Sequence, residues 1–244
     1  MKKIFLQHYK LYLMEGLGLG IFMVSATFFT AMLEHPASPW HTAIPNGPAR
    51  HFLIALMMGL TALFIFYSPV TAPSGAHINP AVTLVQWRVG NIHKTDALFY
   101  MVFQLAGGTV FVYIMAFLLG SYLTSPPVNY VVTVPGMGVS VLKAFSYELV
   151  TSFIMITMIL HTAGHPVLKK YTRLFAGILV FCYVMVGGPV SGFGMNPARS
   201  FASALPANIW TSFWIYIICP FAGMLGAAEV FLWMTHTDSS LKNK

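Results

Sequence analysis

The stretch GMNPARSFASAL, residues 194–205, places a charged side chain in an apolar environment. Arg199 is the only Asp, Glu, Lys or Arg between Arg173 and Glu229. A guanidinium among apolar residues is difficult to solvate, and a charge inside a membrane segment marks a functional site by default. The first question is therefore which polar molecule or group contacts Arg199.

The composition of the whole chain indicates a membrane protein. Hydrophobic residues make up 57% of the 244 residues and charged residues only 8%, with a mean hydropathy of +0.73, whereas soluble domains carry about 25% charged residues. A spanning helix needs about 20 mainly apolar residues. Six such stretches are present, at residues 11–33, 51–70, 97–123, 144–163, 172–191 and 209–234. We predict an all-α integral membrane protein with a single membrane domain, residues 1–244.

The positive charges are distributed unevenly along the chain. If the N-terminus is cytoplasmic, only Arg50 and Lys143 lie outside, and Arg199 lies within the membrane. The cytoplasmic set is Lys2, Lys3, Lys10, Arg88, Lys94, Lys169, Lys170, Arg173, Lys242 and Lys244. This distribution follows the positive-inside rule, so we expect a multi-pass protein of the cell (inner) membrane with both termini cytoplasmic. The net charge of +7 then reflects topology, and no nucleic-acid partner is predicted because basic and aromatic residues are not interleaved.

An internal repeat is visible around Arg199. HINPAVTLVQW at 77–87 contains the same Asn-Pro-Ala triplet as residues 194–205. The repeated residues are Asn79, Pro80 and Ala81 in the first copy and Asn196, Pro197 and Ala198 in the second. An apolar span with one buried acid precedes each copy, with Glu15 in YLMEGLGLG and Glu148 in FSYELVTSF.

Each half of the chain thus contains three spans and one Asn-Pro-Ala segment. The halves are residues 10–123 and 143–235, joined by a linker at 124–142 that is rich in Pro and Gly. An odd number of spans makes the second half enter the bilayer from the opposite face. We therefore predict an inverted repeat with its functional site near the membrane midplane.

The Asn-Pro-Ala segments are predicted to be re-entrant half-helices. About ten helix-compatible residues follow each Asn, which gives about 15 Å of helix against a hydrocarbon core of about 30 Å. Asn is a favoured N-cap and Pro a favoured first helical residue. A pair of surface turns is the alternative for an Asn-Pro dipeptide, but the matching positions in two inverted halves favour half-helices.

The loops that lead into the half-helices must be irregular, and such backbone is tolerated at this depth only when protein covers it or a watery cavity adjoins it. Their carbonyl oxygens would form a row of acceptors, interrupted by the side-chain NH₂ groups of the two Asn residues pointing into the lumen. The predicted carbonyl acceptors of this lining belong to Gly75, Ala76, His77, Gly192, Phe193 and Gly194. This pattern suits a small neutral molecule that both donates and accepts hydrogen bonds.

On these motifs the chain resembles the aquaporins of the major intrinsic protein family, over residues 10–235. The resemblance implies a bacterial-type water channel with an atypical selectivity filter, arranged as a homotetramer in the lipid bilayer, with no cofactor or metal and no enzymatic activity. Water and small neutral solutes would pass, and protons and ions would be excluded. Glu15 and Glu148 would support the half-helix loops structurally.

The resemblance also implies an outer constriction formed by Met58, Val184, Phe193 and Arg199. Phe193 and Arg199 are fixed by their distance from Asn196, and Val184 rests on an ungapped count. Met58 rests on matching MGLT with a difference of one residue, so Gly59 stays an alternative. Water-selective members typically have His where Val184 stands.

The departures from the family patterns leave alternatives open. Phe193 resembles glycerol facilitators, but these have Asp and Lys where this chain has Ser200 and Ala204. A glycerol or small-solute facilitator is therefore the alternative function. A secondary carrier is less favoured because it would need a substrate-binding acid or unwound helices that change access, and the repeated Asn-Pro-Ala spacing argues against it. Cys182 and Cys219 are predicted to be inert, buried thiols.

Overall fold

The structure is a computed structural model that describes the backbone of residues 2–242 and the side chains of residues 3–235. The side chains of Lys2 and Lys242, and Lys244 as a whole, lie outside the described residues. The predicted cytoplasmic position of these three charges is therefore not tested by the structure. Within the described part, the regular structure is helical. The α-helices are α1 (Lys2–Glu34), α2 (Pro39–Ala43), α3 (Gly47–Tyr67), α4 (Pro80–Arg88), α5 (Lys94–Leu119), α6 (Ser121–Thr124), α7 (Val141–Gly164), α8 (Thr172–Ser191), α9 (Pro197–Ala207) and α10 (Ile215–Lys242).

Six helices are long and apolar enough to cross a membrane, which confirms the six predicted spans: α1, α3, α5, α7, α8 and α10. Several boundaries differ from prediction, the largest difference being the start of α1 at Lys2 instead of residue 11. Helix α5 ends at Leu119 because Gly120 adopts φ 51° and ψ −130°, a conformation essentially restricted to glycine. Helix α10 begins at Ile215 because residues 210–214 form turns, with Ser212 at φ 52°.

The spans alternate in direction, which defines two faces of the protein. The basic face carries the N-terminal end of α1 and the loop between α7 and α8, and the opposite face carries Glu34 and the linker. An exposed ion pair joins Arg88 and Glu229 at the basic face, with Nε and Oε1 2.6 Å apart. At the opposite face, Arg50 Nη2 lies 3.3 Å from Glu34 Oε2.

Equivalent helices pack closely in the two halves through glycine. A Cβ atom added to Gly107 of α5 would lie 2.2 Å from the carbonyl oxygen of Gly16 in α1. A Cβ atom added to Gly223 of α10 would lie 2.4 Å from the carbonyl oxygen of Leu149 in α7. Close backbone approach through small residues is a usual way for membrane helices to associate. The two halves thus use the same type of contact between their first and third spans.

Helices α4 and α9 are the two half-helices. Their 9 and 11 residues give lengths of about 14 and 17 Å, so each reaches about halfway across the membrane. Helix α4 packs against α10 and α9 packs against α5. Each half-helix therefore contacts the last span of the other half, which holds the two repeats together around the centre.

Candidate functional site

The loop that leads into α4 is held by the buried acid of α1. Glu15 is fully buried, and its Oε1 accepts hydrogen bonds from Ser74 Oγ at 2.6 Å and the backbone N–H of His77 at 3.0 Å. Its Oε2 accepts from the N–H of Ile78 at 2.6 Å and from Gln104 Nε2 at 2.8 Å. Burial of a carboxylate is tolerated when its oxygens are saturated with donors.

The loop that leads into α9 is held in the same way by the acid of α7. Glu148 is fully buried, and its Oε1 accepts from Ser191 Oγ at 2.6 Å and the N–H of Gly194 at 2.8 Å. Its Oε2 accepts from the N–H of Met195 at 2.5 Å. Two acids from different halves of the chain therefore hold equivalent loop atoms.

A tyrosine from the last span of each half completes each loop support. The hydroxyl of Tyr100 donates to the carbonyl of Ser74 at 2.8 Å, and that of Tyr216 donates to the carbonyl of Ser191 at 2.7 Å. Neither the tyrosines nor the serines were predicted from the sequence. The repeated Ser-Gly dipeptide before each Asn-Pro-Ala triplet was a signal for the serines, whereas the tyrosines carry no local motif.

Both loops use left-handed backbone at three equivalent positions. These are Gly75, Ala76 and Ile78 in the first loop, at φ 93°, 49° and 44°, and Gly192, Phe193 and Met195 in the second, at φ 74°, 53° and 43°. Non-glycine residues in this region are strained and persist only where the surroundings hold them. The hydrogen bonds to the two glutamates supply that restraint.

The strained loops leave six of their carbonyl groups without protein partners. Within the described part of the chain, no hydrogen bond is accepted by the carbonyl oxygens of the six predicted lining residues, Gly75, Ala76, His77, Gly192, Phe193 and Gly194. Buried carbonyls almost always have a partner, either protein or water. Two rows of acceptors are therefore available to a polar molecule.

The two Asn residues cap their helices and also bond across the repeat. Asn79 Oδ1 accepts from the N–H of Ala81 at 2.9 Å, and Asn196 Oδ1 accepts from the N–H of Ala198 at 3.0 Å. Asn79 Nδ2 donates to the carbonyl of Met195 at 2.9 Å, and Asn196 Nδ2 donates to that of Ile78 at 2.7 Å. The expectation that each NH₂ group points only into the lumen is thus corrected, because one of its two hydrogens joins the halves.

Two cavities approach the Asn pair from opposite sides. The basic-face cavity has a volume of about 610 Å³, and Gly75, Ala76, His77, Asn79, Phe193, Gly194 and Asn196 are part of its wall. The opposite-face cavity has a volume of about 270 Å³, and Gly192, Phe193 and Arg199 are part of its wall. Phe22 and Phe193 line both cavities. The cavities therefore adjoin at these two rings.

The four residues of the predicted constriction all line the opposite-face cavity: Met58, Val184, Phe193 and Arg199. Gly59 instead packs against α8, since a Cβ atom added there would lie 2.8 Å from that of Phe181. The geometry therefore brings Met58, and not Gly59, to the lumen side. Among these four residues, three present apolar side chains and one presents a cation.

Arg199 is almost buried, with 8% of its surface exposed. Its Nη1 donates to the carbonyl of Val131 at 2.9 Å, so the linker between the halves supplies a partner for the guanidinium. The backbone N–H of Arg199 donates to Asn196 Oδ1 at 3.2 Å. No feature of the sequence singled out Val131, because its contribution is a backbone carbonyl.

The two cysteines do not line either cavity. Cys219 is buried as predicted, but Cys182 is exposed, and the prediction of a buried thiol there was wrong. Successive residues of a helix are rotated by about 100°, so Cys182 faces outward while its neighbours Tyr183 and Val184 are buried. Among the described residues, no group of three or more His, Cys, Asp or Glu could hold a metal ion.

A family model named "Major intrinsic protein" matches residues 5–231, which include both half-helices and nearly all of the six spans. The chain belongs to the major intrinsic protein family. This family consists of channels and not of enzymes, and its aquaporin members pass water and small solutes. The chain is therefore an integral multi-pass membrane channel of the aquaporin type.

Individual aquaporins show the same relationship. The chain is 36% identical over 203 residues to "Probable aquaporin TIP3-2" of Arabidopsis thaliana, an alignment that covers 80% of this chain and 73% of the relative. It is 31% identical over 193 residues to "Aquaporin NIP1-2" of the same plant, covering 78% and 65%. The solved aquaglyceroporin from Plasmodium falciparum superposes with a TM-score of 0.75 at 21% identity, covering 92% of this chain and 95% of that one. The last comparison shows the shared fold.

Proposed function

We propose that this protein is a passive transmembrane channel for water, with passage of small uncharged solutes and exclusion of protons and ions. The observation that carries the proposal is the reciprocal bonding of Asn79 and Asn196 in the wall of the basic-face cavity, which adjoins the opposite-face cavity at Phe22 and Phe193. Each NH₂ group keeps a second hydrogen next to unpaired loop carbonyls. A molecule with both donors and acceptors can replace its hydrogen bonds to bulk water with hydrogen bonds to these NH₂ groups and carbonyl oxygens.

Cations and protons meet an unfavourable potential at the same point. The N-termini of α4 and α9 converge on the Asn pair, and each helix N-terminus carries about half a positive charge. Arg199 adds a full charge at the opposite-face cavity. Positive helix ends and an arginine in a narrow lumen oppose the passage of cations and protons.

Four residues of the opposite-face cavity form the proposed selectivity filter. Met58, Val184 and Phe193 supply apolar walls, and Arg199 is the only charged donor among the four. A solute that passes must be small enough for these walls and must bond to one fixed cation. The paired acids, Glu15 and Glu148, are proposed to act as structural supports and not as proton carriers, since their oxygens are occupied by loop donors.

A facilitator for glycerol or another small neutral solute is the second candidate function. The supporting observation is Val184, which lines the opposite-face cavity and replaces the His typical of water-selective members with a smaller apolar side chain. Ser200 stands where glycerol facilitators typically have Asp, and its hydroxyl bonds to Thr133 at 3.0 Å. Val184 departs from the water-selective pattern, whereas Ser200 departs from the glycerol pattern. The two features therefore favour different solutes, and solute flux must be measured.

The assembly and placement are also proposals. We propose a homotetramer with one pore in each subunit, located in the cell (inner) membrane with both termini cytoplasmic. The support for this orientation is the charge distribution, with Lys3, Lys10 and Lys94 at the basic face and Lys143 at the other. The repeat boundaries, 10–123 and 143–235, are proposed to separate two inverted halves of one domain.

Stopped-flow light scattering on proteoliposomes tests the proposed function. Vesicles that contain the protein should shrink faster under osmotic stress than protein-free vesicles, with weak temperature dependence and no change in rate under a pH gradient. Glycerol and urea gradients in the same vesicles separate the two candidate functions. Water and solute flow no faster than in protein-free vesicles, from correctly folded protein, would contradict both.

A further inference from the structure

Three cationic side chains from one short segment line the mouth of the basic-face cavity. They are Lys169, Lys170 and Arg173. Other cations at this face, including Lys3, Lys10 and Lys94, do not line the cavity. The positive-inside rule explains a basic loop at this face, but it does not require the side chains to surround the lumen.

The charges at this mouth are not neutralised by the protein. Within residues 3–235, none of the three cations forms an ion pair, and no Asp or Glu belongs to the wall of the basic-face cavity. Two of the cations lie over aromatic rings instead, Arg173 at 5.8 Å from the Tyr67 centroid and Lys170 at 4.9 Å from that of Tyr171. Aromatic faces orient a cation without cancelling its charge.

A buried hydroxyl without a partner lies at the same place. Thr172 lines the cavity, and its Oγ1 is buried without a hydrogen-bond partner among the described residues. The backbone N–H of Thr172 is already occupied, because a 3₁₀ turn, Leu168–Tyr171, leads directly into α8 and this N–H donates to the carbonyl of Lys169. One unpaired hydroxyl and three cations thus lie at one opening.

We propose that the mouth of the basic-face cavity binds a phosphate group and that its occupancy slows flow through the pore. The group is a multivalent oxyanion, which Arg contacts through two parallel N–H donors and Lys contacts as a point charge. Free phosphate, a phosphate monoester and an anionic lipid headgroup share this chemistry. The three cations and the Asn pair belong to the wall of the same cavity. A molecule that enters from the basic face therefore passes a phosphate bound at the mouth before it reaches the Asn pair. The flux effect rests on the proposed channel function, whereas binding does not.

Binding is measured by isothermal titration of the full-length protein in detergent with inorganic phosphate, at constant ionic strength. Saturable binding is expected. The triple variant Lys169→Gln, Lys170→Gln, Arg173→Gln should bind roughly tenfold more weakly. The matched control Lys3→Gln, Lys10→Gln, Lys94→Gln removes the same charge from the same face and should stay within about twofold of the wild type. Equal loss in the control, or no binding by the wild type, would overturn the site.

Water flux then distinguishes the sources of the phosphate group. In phosphatidylcholine vesicles with phosphate on both sides, slower flux in the wild type but not in the cavity triple variant supports a soluble ligand. Slower flux in phosphatidylglycerol vesicles without phosphate, relieved by the same variant, supports a lipid headgroup. Flux that responds to neither overturns the regulatory part of the proposal. Absence of channel flux with intact phosphate binding would instead refute the channel function alone.

Discussion

The loop of residues 74–79 and the loop of residues 191–196 share their supports but lead into half-helices that differ. In both loops a serine, two backbone N–H groups and a buried glutamate form the same network. Three positions after the Asn, however, the first half-helix carries Val82 and the second carries Arg199. Duplicated parts of the molecule therefore serve to hold the backbone, and the proposed selective chemistry lies where the copies diverge.

The supports themselves differ in one respect. Gln104 donates to Glu15 in the first half, whereas the corresponding position in the second half is Pro220 and, among the described residues, Glu148 has no side-chain amide donor. The amide oxygen of Gln104 is buried without a partner in the described part of the chain. The first network therefore contains one unused hydrogen-bond acceptor, the amide oxygen of Gln104, which the second network lacks. We call it the reserve acceptor.

The largest expected effect tests whether the two Asn residues are equivalent. Asn79→Ala and Asn196→Ala each remove a helix cap and one bond between the halves, which together should cost about 2 kcal/mol. The two losses should be similar because the bonds are reciprocal. Thermal unfolding in detergent, followed by tryptophan fluorescence, measures both. A strong effect at one position with none at the other would break the equivalence.

A second prediction compares the lumen exposure of equivalent loop positions. Phe193→Cys should make water flux sensitive to mercuric chloride, with at least roughly tenfold inhibition, because a thiolate binds soft metals where the two cavities adjoin. Ala76→Cys should give weaker inhibition because it lies in the wider cavity. The unmodified protein should respond little, since neither Cys182 nor Cys219 lines a cavity. Stopped-flow light scattering measures all three, and strong block of the wild type would contradict the assignment.

The smallest expected effect concerns the reserve acceptor. Glu15→Gln should be less destabilising than Glu148→Gln by about 1 kcal/mol. The new amide faces a backbone N–H at both positions, that of Ile78 at position 15 and that of Met195 at position 148. At position 15 it can also donate to the amide oxygen of Gln104 after that side-chain amide rotates by about 180°, whereas position 148 has no such acceptor. The unfolding midpoints of the two variants should differ accordingly. Adding Gln104→Leu to Glu15→Gln should abolish the advantage, and a persistent advantage would show that the amide has no such role.

The sequence was sufficient for features that depend on local pattern. Hydropathy located the six spans, and the Asn-Pro dipeptides located α4 and α9, because capping chemistry depends on adjacent residues. Features that depend on tertiary placement were not accessible. The carbonyl of Val131 that receives Arg199, and the bonds from each Asn to the opposite loop, join residues 68 to 118 positions apart.

Helix rotation was the other source of difficulty. Composition alone could not distinguish an outward-facing thiol from a buried one, because the surface that faces lipid is as apolar as the core. Cys182 was therefore assigned to the wrong side of α8. Met58 and Gly59 stayed alternatives for a different reason, the difference of one residue in matching MGLT. The structure separates them because adjacent residues lie about 100° apart around the helix axis.

Above all, we propose that Arg199 is the charged filter residue of a pore for neutral molecules. The most direct measurement is the flux of water, glycerol, urea and protons through Arg199→Val proteoliposomes, with Lys143→Gln as a control that removes a charge from the opposite face without altering the cavity wall. Water flux should persist because both Asn donors and the carbonyl rows remain, while glycerol or urea flux rises severalfold and a small proton leak develops. Unchanged solute selectivity and unchanged proton leak in folded Arg199→Val protein would contradict this role.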